Sequence, residues 1–208
     1  MTIKTIIFDL DGVLINLCEM HRQAFTKALT YSYGLFIEKE YHDKYLNGLP
    51  TKIKLEKLGV PRPQWERIIR AKQEITDKEI ENIGVSWELQ YMINSLSSLG
   101  YNLYCASNSI RQTVTKVLEK LGLTKPYIKY FGSDDVLAPK PSPELYYKCM
   151  ADCGVRASET LIVEDSPVGE QAIKNSGAHK LMVKDATDLT MTKLLKRINE
   201  IEQGIYYV

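Results

Sequence analysis

Short apolar runs alternate along most of this chain with stretches whose apolar residues recur every three or four positions. The runs lie at 5–8, 102–106, 128–131, 160–163 and 180–183, are rich in Val, Ile, Leu, Tyr and Phe, and have the length of β-strands. Between them, residues 86–99 place Trp87, Leu89, Met92, Ile93, Leu96 and Leu99 at helical spacing, and 110–121, 143–153 and 167–176 repeat the pattern. Strands that alternate with helices of this length predict an α/β fold, a parallel sheet with helices on both faces. The first run, Ile6, Ile7 and Phe8, has no polar alternation, as expected of a strand buried on both sides.

One interval departs from the alternation. Between Asn16 and Gly84 no strand is predicted, and four amphipathic helical stretches follow one another at 17–33, 38–46, 51–58 and 64–83. Turn-like "NGLP" and "GVPRP" divide the block, and "NIGVS" carries the chain back out of it. The expected organisation is a sheet domain made of residues 1–15 and 85–208, interrupted by an all-helical subdomain at 16–84. A last helix is expected at 189–201, followed by the tail "EQGIYYV", to which no use is assigned.

Composition narrows the possible roles. Lys and Arg total 27 against 26 Asp and Glu, a net charge of +1, so the balance points to neither a nucleic-acid partner nor a charged membrane surface. No apolar stretch approaches the ~20 residues that span a bilayer, and the N-terminus lacks the pattern of a signal peptide. A cytoplasmic monomer is the expectation, with Cys18, Cys105, Cys149 and Cys153 as reduced thiols, because their spacing matches no zinc or disulfide framework.

Ligands of an open parallel sheet gather at the carboxyl ends of its strands. Asp9 and Asp11 follow the first run; Ser107, Asn108 and Ser109 follow the second; Lys140 precedes the fourth in "APKPSPELY"; Glu164 and Asp165 follow it in "IVEDSPVG". Singly, each has an ordinary explanation: a hydroxyl can cap a helix, Asp165 and Ser166 before Pro167 read as a helix start, and a turn lysine is usually solvated. None of these explains why two acidic pairs, a hydroxyl and a lysine all fall on one sheet edge. Carboxylates gathered closely repel unless positive charge sits among them.

"DLDGVL", "ASNS", "KPSPELY" and "VEDSPVG" resemble, in order, the four motifs of the haloacid dehalogenase superfamily, and the helical block resembles its small cap. Within that superfamily the chain is most similar to the group of beta-phosphoglucomutase and the small sugar-phosphate phosphatases. The resemblance implies a Rossmann-like core and a small phosphorylated substrate, with Asp9 as nucleophile toward phosphorus and Asp11 as general acid and base. It also implies that Ser107 and the Asn108 backbone N–H hold phosphate oxygens, and that Lys140 neutralises Asp9 and the transferring group. Mg2+ would be the cofactor, with ligands from Asp9, Asp165 and the Asp11 carbonyl, and Glu164 either a ligand or the acceptor of a bound water. Arg111 is a candidate for the same phosphate, although a helix-surface arginine is the simpler reading. Asp11 favours phosphate esters over the dehalogenase and phosphonate branches, which lack it.

In the cap, the resemblance implies a positioning role for His21 and a specificity loop around Gly48. Here the chain departs from the mutase: by alignment through Gly48 and Leu55, Asn47 and Thr51 stand where it carries a lysine and an arginine for its second phosphate. Lys52 and Lys54 are the candidates to compensate from neighbouring positions. A hydrolase of monophosphates needs no such pair, so a phosphatase is favoured and a phosphomutase is the alternative. A phospho-accepting receiver module shares the strand-end aspartate, hydroxyl and lysine, but not the helical insert.

Overall fold

In a computed structural model, residues 2–123 and 126–204 are described; residues 205–208 of the tail lie outside that range. In chain order the elements are β1 (Thr5–Phe8), α1 (Cys18–Tyr33), α2 (Lys39–Tyr45), α3 (Thr51–Lys57), α4 (Trp65–Ile80), α5 (Trp87–Ser98) and β2 (Asn102–Ala106). They continue as α6 (Arg111–Leu121), β3 (Lys129–Phe131), α7 (Glu144–Cys153), β4 (Thr160–Glu164), α8 (Pro167–Ser176), β5 (His179–Met182) and α9 (Met191–Glu202). The chain divides into two compact units, one drawn from Met1–Asn16 and Gly84–Val208, the other Leu17–Ile83.

The first unit is built on a five-stranded parallel sheet of order β3-β2-β1-β4-β5. β1 lies at its centre, with Ile7 paired to Tyr104 of β2 and to Ile162 of β4. On one face Ile7, Tyr104 and Ile162 pack with Leu145, Tyr146, Cys149 and Met150 of α7 and with Ala172 and Ile173 of α8. The alternate residues Ile6, Phe8, Leu103, Cys105, Leu161 and Val163 are buried as well, so both faces are covered. Each such aliphatic side chain withdrawn from water contributes about 1.5–3 kcal/mol. Strand order reverses between β1 and β4, and that crevice is where parallel α/β sheets bind ligands. Among the described residues no disulfide joins the four cysteines.

The second unit is all-helical. Phe25, Ala28 and Leu29 of α1 form its core with Ile37, Leu46, Leu55, Val60 and Ile68. The Trp65 indole donates to the Val60 carbonyl at 2.7 Å and ties the start of α4 to the preceding turn. Among the described residues, no helix is long and apolar enough to cross a membrane.

Element ends differ from the sequence expectation by one to three residues, for identifiable reasons. α4 stops at Ile80 rather than 83, because Asn82 N–H and Ile83 N–H turn to the Glu79 and Ile80 carbonyls in a tighter final turn. β3 begins at Lys129, opposite Tyr104; Ile128 is buried but outside the ladder. β5 runs His179–Met182, and Val183 N–H still donates to the Glu164 carbonyl at 2.9 Å beyond its counted end.

Candidate active site

β1 delivers Asp9 directly past its last paired residue, and Asp9 N–H donates to the Val163 carbonyl at 3.0 Å, which anchors it beside β4. Lys140 is buried, not a solvated turn lysine. Its Nζ donates to Asp9 Oδ1 and to Glu164 Oε1, both at 2.6 Å, and so joins the ends of β1 and β4. Burial opposes the ammonium, yet Asp9 and Glu164 outweigh it and hold Lys140 well above the usual lysine range. Glu164 sits below the ordinary glutamate value: burial works against its charge, but Lys140 and the Ser166 and Asp165 backbone donors prevail.

Glu164 is saturated with donors. Oε2 accepts from Asp165 N–H at 3.0 Å, Ser166 N–H at 3.1 Å and the Ser166 hydroxyl at 3.1 Å, while Oε1 accepts from Lys140 and from the Tyr146 hydroxyl at 3.2 Å. A carboxylate offers about four lone-pair directions, and this one has no unused direction for a cation. Asp165 is the opposite case: its Oδ1 is buried with no hydrogen-bond partner. Ligand atoms of Asp9, Glu164 and Asp165 lie within 4.8 Å of one another.

Three acidic side chains therefore share one ammonium. Burial pushes Asp9 up to about 8, with Lys140 pulling it down and Glu164 and Asp165 pushing it further. Asp165 is raised to about 7 by burial and by Glu164 and Asp11. Such a cluster is short of positive charge, and the unpartnered Asp165 oxygen is one that could accept a cation. An all-oxygen donor set of this kind fits a hard divalent cation such as Mg2+. The same saturation leaves no lone pair for a bound water, so either role expected for Glu164 requires one of these donors to let go.

Two glycines make the crowding possible. Gly12 has φ +88, and a Cβ there would lie 2.1 Å from Asp165 Oδ2. A Cβ on Gly169, in the first turn of α8, would lie 1.9 Å from the Glu164 carboxylate. Gly12→Ala is expected to cost about 1–2 kcal/mol from the left-handed backbone alone, and to lower the thermal midpoint by roughly 2–8 °C. Displacement of Asp165 should also weaken the cation site. Parallel melts with and without Mg2+ check both, since the variant should lose most of any Mg2+-dependent rise that the wild type shows.

Past β2, Ser107 is buried and its Oγ accepts from Ser109 N–H at 3.0 Å. The Asn108 side chain grips the Lys140 backbone from both sides: Nδ2 donates to the Lys140 carbonyl at 3.0 Å, and Oδ1 accepts from Lys140 N–H at 2.9 Å. Only the backbone of Asn108 figured in the sequence reading; its side chain is a clamp on the lysine. Arg111 has its Nη1 at 2.8 Å from both Asp135 carboxylate oxygens. Asp11 is half-buried two residues after Asp9, where Gly12 N–H donates to the Ile15 carbonyl at 2.7 Å and closes the turn.

The remaining candidates belong to the helical unit. Gly48 takes a left-handed φ of 72°, Thr51 opens α3, and Lys52 is exposed. Lys54, one of the two compensating candidates, is buried instead, with Nζ 3.1 Å from His42 Nε2 and 5.4 Å from the Phe25 ring centroid. Both His21 ring nitrogens are buried without a hydrogen-bond partner. Burial, with Lys72 and Lys54 behind it, holds His21 well below the usual histidine range.

His42 is held near 4 by burial and by Lys54, against the pull of Asp43. A histidine depressed in the folded state contributes stability above its unfolded value of 6.5 and loses it as pH falls toward 4. In His42→Gln this part of the acid loss should vanish, up to about 3 kcal/mol between the two limits. Thermal midpoints of wild type and variant, measured across that window, check it: parallel curves contradict the burial account.

The haloacid dehalogenase-like hydrolase family matches residues 6–183. Phosphoglycolate phosphatase of Aquifex aeolicus is 28% identical over 84% of this chain and 81% of its own length. Pyrophosphatase PpaX of Halalkalibacterium halodurans is 28% identical over 88% of this chain and 84% of its own. Among solved structures, beta-phosphoglucomutase from Clostridium difficile superposes with a TM-score of 0.83 at 19% identity, covering 97% of this chain and 100% of that one, a likeness of fold.

Proposed function

The chain belongs to the haloacid dehalogenase-like hydrolases, and on that premise we propose that it is a Mg2+-dependent phosphatase of small phosphate monoesters, sugar phosphates foremost, working through phospho-Asp9. Relatives named as phosphatases support the class. One observation carries the mechanism: Lys140 is hydrogen-bonded at 2.6 Å to the strand-end Asp9, beside an Asp165 oxygen that has no partner.

Asp9, Asp165 and the Asp11 carbonyl would hold the cation. When bound, Mg2+ supplies positive charge against the phosphoryl oxygens and lowers the repulsion between phosphate and carboxylate. An Asp9 carboxylate oxygen attacks phosphorus through its remaining lone pair, and the bond from phosphorus to the ester oxygen breaks. The Asp11 carboxyl gives that oxygen its proton. Water then attacks the phosphorus of phospho-Asp9, Asp11 accepts the proton that water loses, and inorganic phosphate leaves with Asp9 restored. Lys140 orients Asp9 and favours its ionised form before attack, and its ammonium offsets negative charge on the transferring group. The Ser107 hydroxyl and the Asn108 backbone N–H are the donors for phosphate oxygens, since the Arg111 N–H that opens α6 is taken by Asp134 Oδ1 at 2.6 Å.

The test is inorganic phosphate release from a panel of sugar, polyol and nucleoside monophosphates, each with Mg2+ and with EDTA. Release from at least one ester that EDTA abolishes is expected. Interconversion of sugar phosphates without net release, dependent on a bisphosphate primer, would replace the phosphatase by the phosphomutase.

A further inference from the structure

Tyr146 lies on α7 and is fully buried, at a helical position that reads as ordinary core beside Leu145, Cys149 and Met150. A phenol at a core position costs free energy unless its hydroxyl finds a partner. Here the partner is Glu164 Oε1 at 3.2 Å, the same oxygen that accepts from Lys140 Nζ at 2.6 Å. The ring makes a second contact with the same machinery, since Lys140 Nζ stands 5.0 Å from its centroid.

We infer that Tyr146 is a positioning residue for the Lys140 ammonium, its ring bracing the charge from one side while its hydroxyl fixes the carboxylate oxygen that holds the charge from the other. The inference deepens the reading of Asp9 as nucleophile and rests on it. A lysine ammonium is a point charge on a flexible four-carbon stem, with no planar fork to set its direction. Asn108 fixes the backbone end of that stem, and Glu164 and Tyr146 fix its tip, leaving the third contact, Asp9 Oδ1 at 2.6 Å, as the one that serves chemistry. Loss of the hydroxyl leaves Glu164 Oε1 with Lys140 as its sole remaining described donor, and the pair then drifts relative to Asp9. Small displacements of a group that stabilises transition-state charge are expensive in rate.

Tyr146→Phe keeps ring and volume but removes the hydroxyl; Tyr146→Leu removes both contacts. With the best ester of the panel, Tyr146→Phe is expected to fold normally and to lose about tenfold in kcat, the scale of one hydrogen bond to a charged group, with KM within about twofold. Tyr146→Leu should lose more. A tyrosine that only fills space would shift the thermal midpoint and leave kcat alone, so wild-type kcat in Tyr146→Phe overturns the inference while leaving the Asp9 reading intact. Full activity in Asp9→Asn, or no release by the wild type, sinks that reading instead. Denaturant midpoints of Tyr146→Phe, Lys140→Met and the double variant then decide the positioning contact without any assay: coupled losses uphold it and additive losses overturn it.

Discussion

Lys140→Met should abolish phosphate release and destabilise the fold by about 3–5 kcal/mol, the cost of leaving buried partner charges uncompensated. The size follows from geometry: one ammonium, 3% exposed, is the hydrogen-bonded counter-ion of Asp9 and Glu164, themselves 8% and 1% exposed. Methionine matches the stem's volume, so packing is largely conserved and the loss is electrostatic. Asp9, already raised to about 8, can relieve the strain by taking up a proton. The deficit relative to wild type is therefore largest near pH 8 and shrinks toward pH 5. Chemical denaturation of the two proteins at both pH values measures this. A pH-independent deficit would mean that the lost interaction is packing rather than charge.

Asp9→Asn should lose on the order of 10^4-fold or more in kcat, as removal of a nucleophile does, and yet be the more stable protein when metal is chelated at pH 8. Burial first, then Glu164 and Asp165, raise Asp9 from the ordinary aspartate value of 3.8 to about 8, against the pull of Lys140. The sign is fixed by linkage: between those two values the folded state holds a proton that the unfolded state has released, so stability falls as pH rises through that window. Asparagine has no such proton to lose and can still accept from Lys140. Melts in EDTA from pH 5 to pH 8 should slope downward for wild type and less so for the variant. Equal slopes would contradict the crowded-carboxylate account.

Much of this site was readable before any coordinates, because parallel strands announce themselves as unbroken apolar runs and their chemistry stands at the run's end. Asp9, Ser107, Glu164 and Asp165 each follow such a run, and the sheet order brings them to one edge. Other features carry no local signal. Tyr146 falls on the apolar face of α7 and reads as packing; only the fold shows its hydroxyl on a carboxylate 18 residues away. The Asn108 clamp spans 32 residues to Lys140, and a side-chain amide after a strand looks like a helix cap. Gly169 resembles a tolerated helix glycine until the Glu164 carboxylate is seen against it. In the helical unit, Lys54 and His42 are 12 residues apart, in helices whose charged residues mostly face water, so neither is marked as buried. Long-range polar contacts are selected by tertiary geometry, and periodicity reports only which face is apolar.

The proposed mechanism puts a covalent bond between Asp9 and phosphorus. p-Nitrophenyl phosphate tests it most directly, because its phenolate leaves without needing a proton, so Asp11→Asn should still form phospho-Asp9 but hydrolyse it slowly. The variant is mixed with this ester and Mg2+, quenched in acid, digested and examined by mass spectrometry. The account predicts one phosphoryl group on the peptide carrying Asp9, absent when Asp9→Asn is added to the same chain. A wild type that releases phosphate while no phosphorylated Asp9 peptide is found in Asp11→Asn, or a phosphoryl group on another residue, would contradict it.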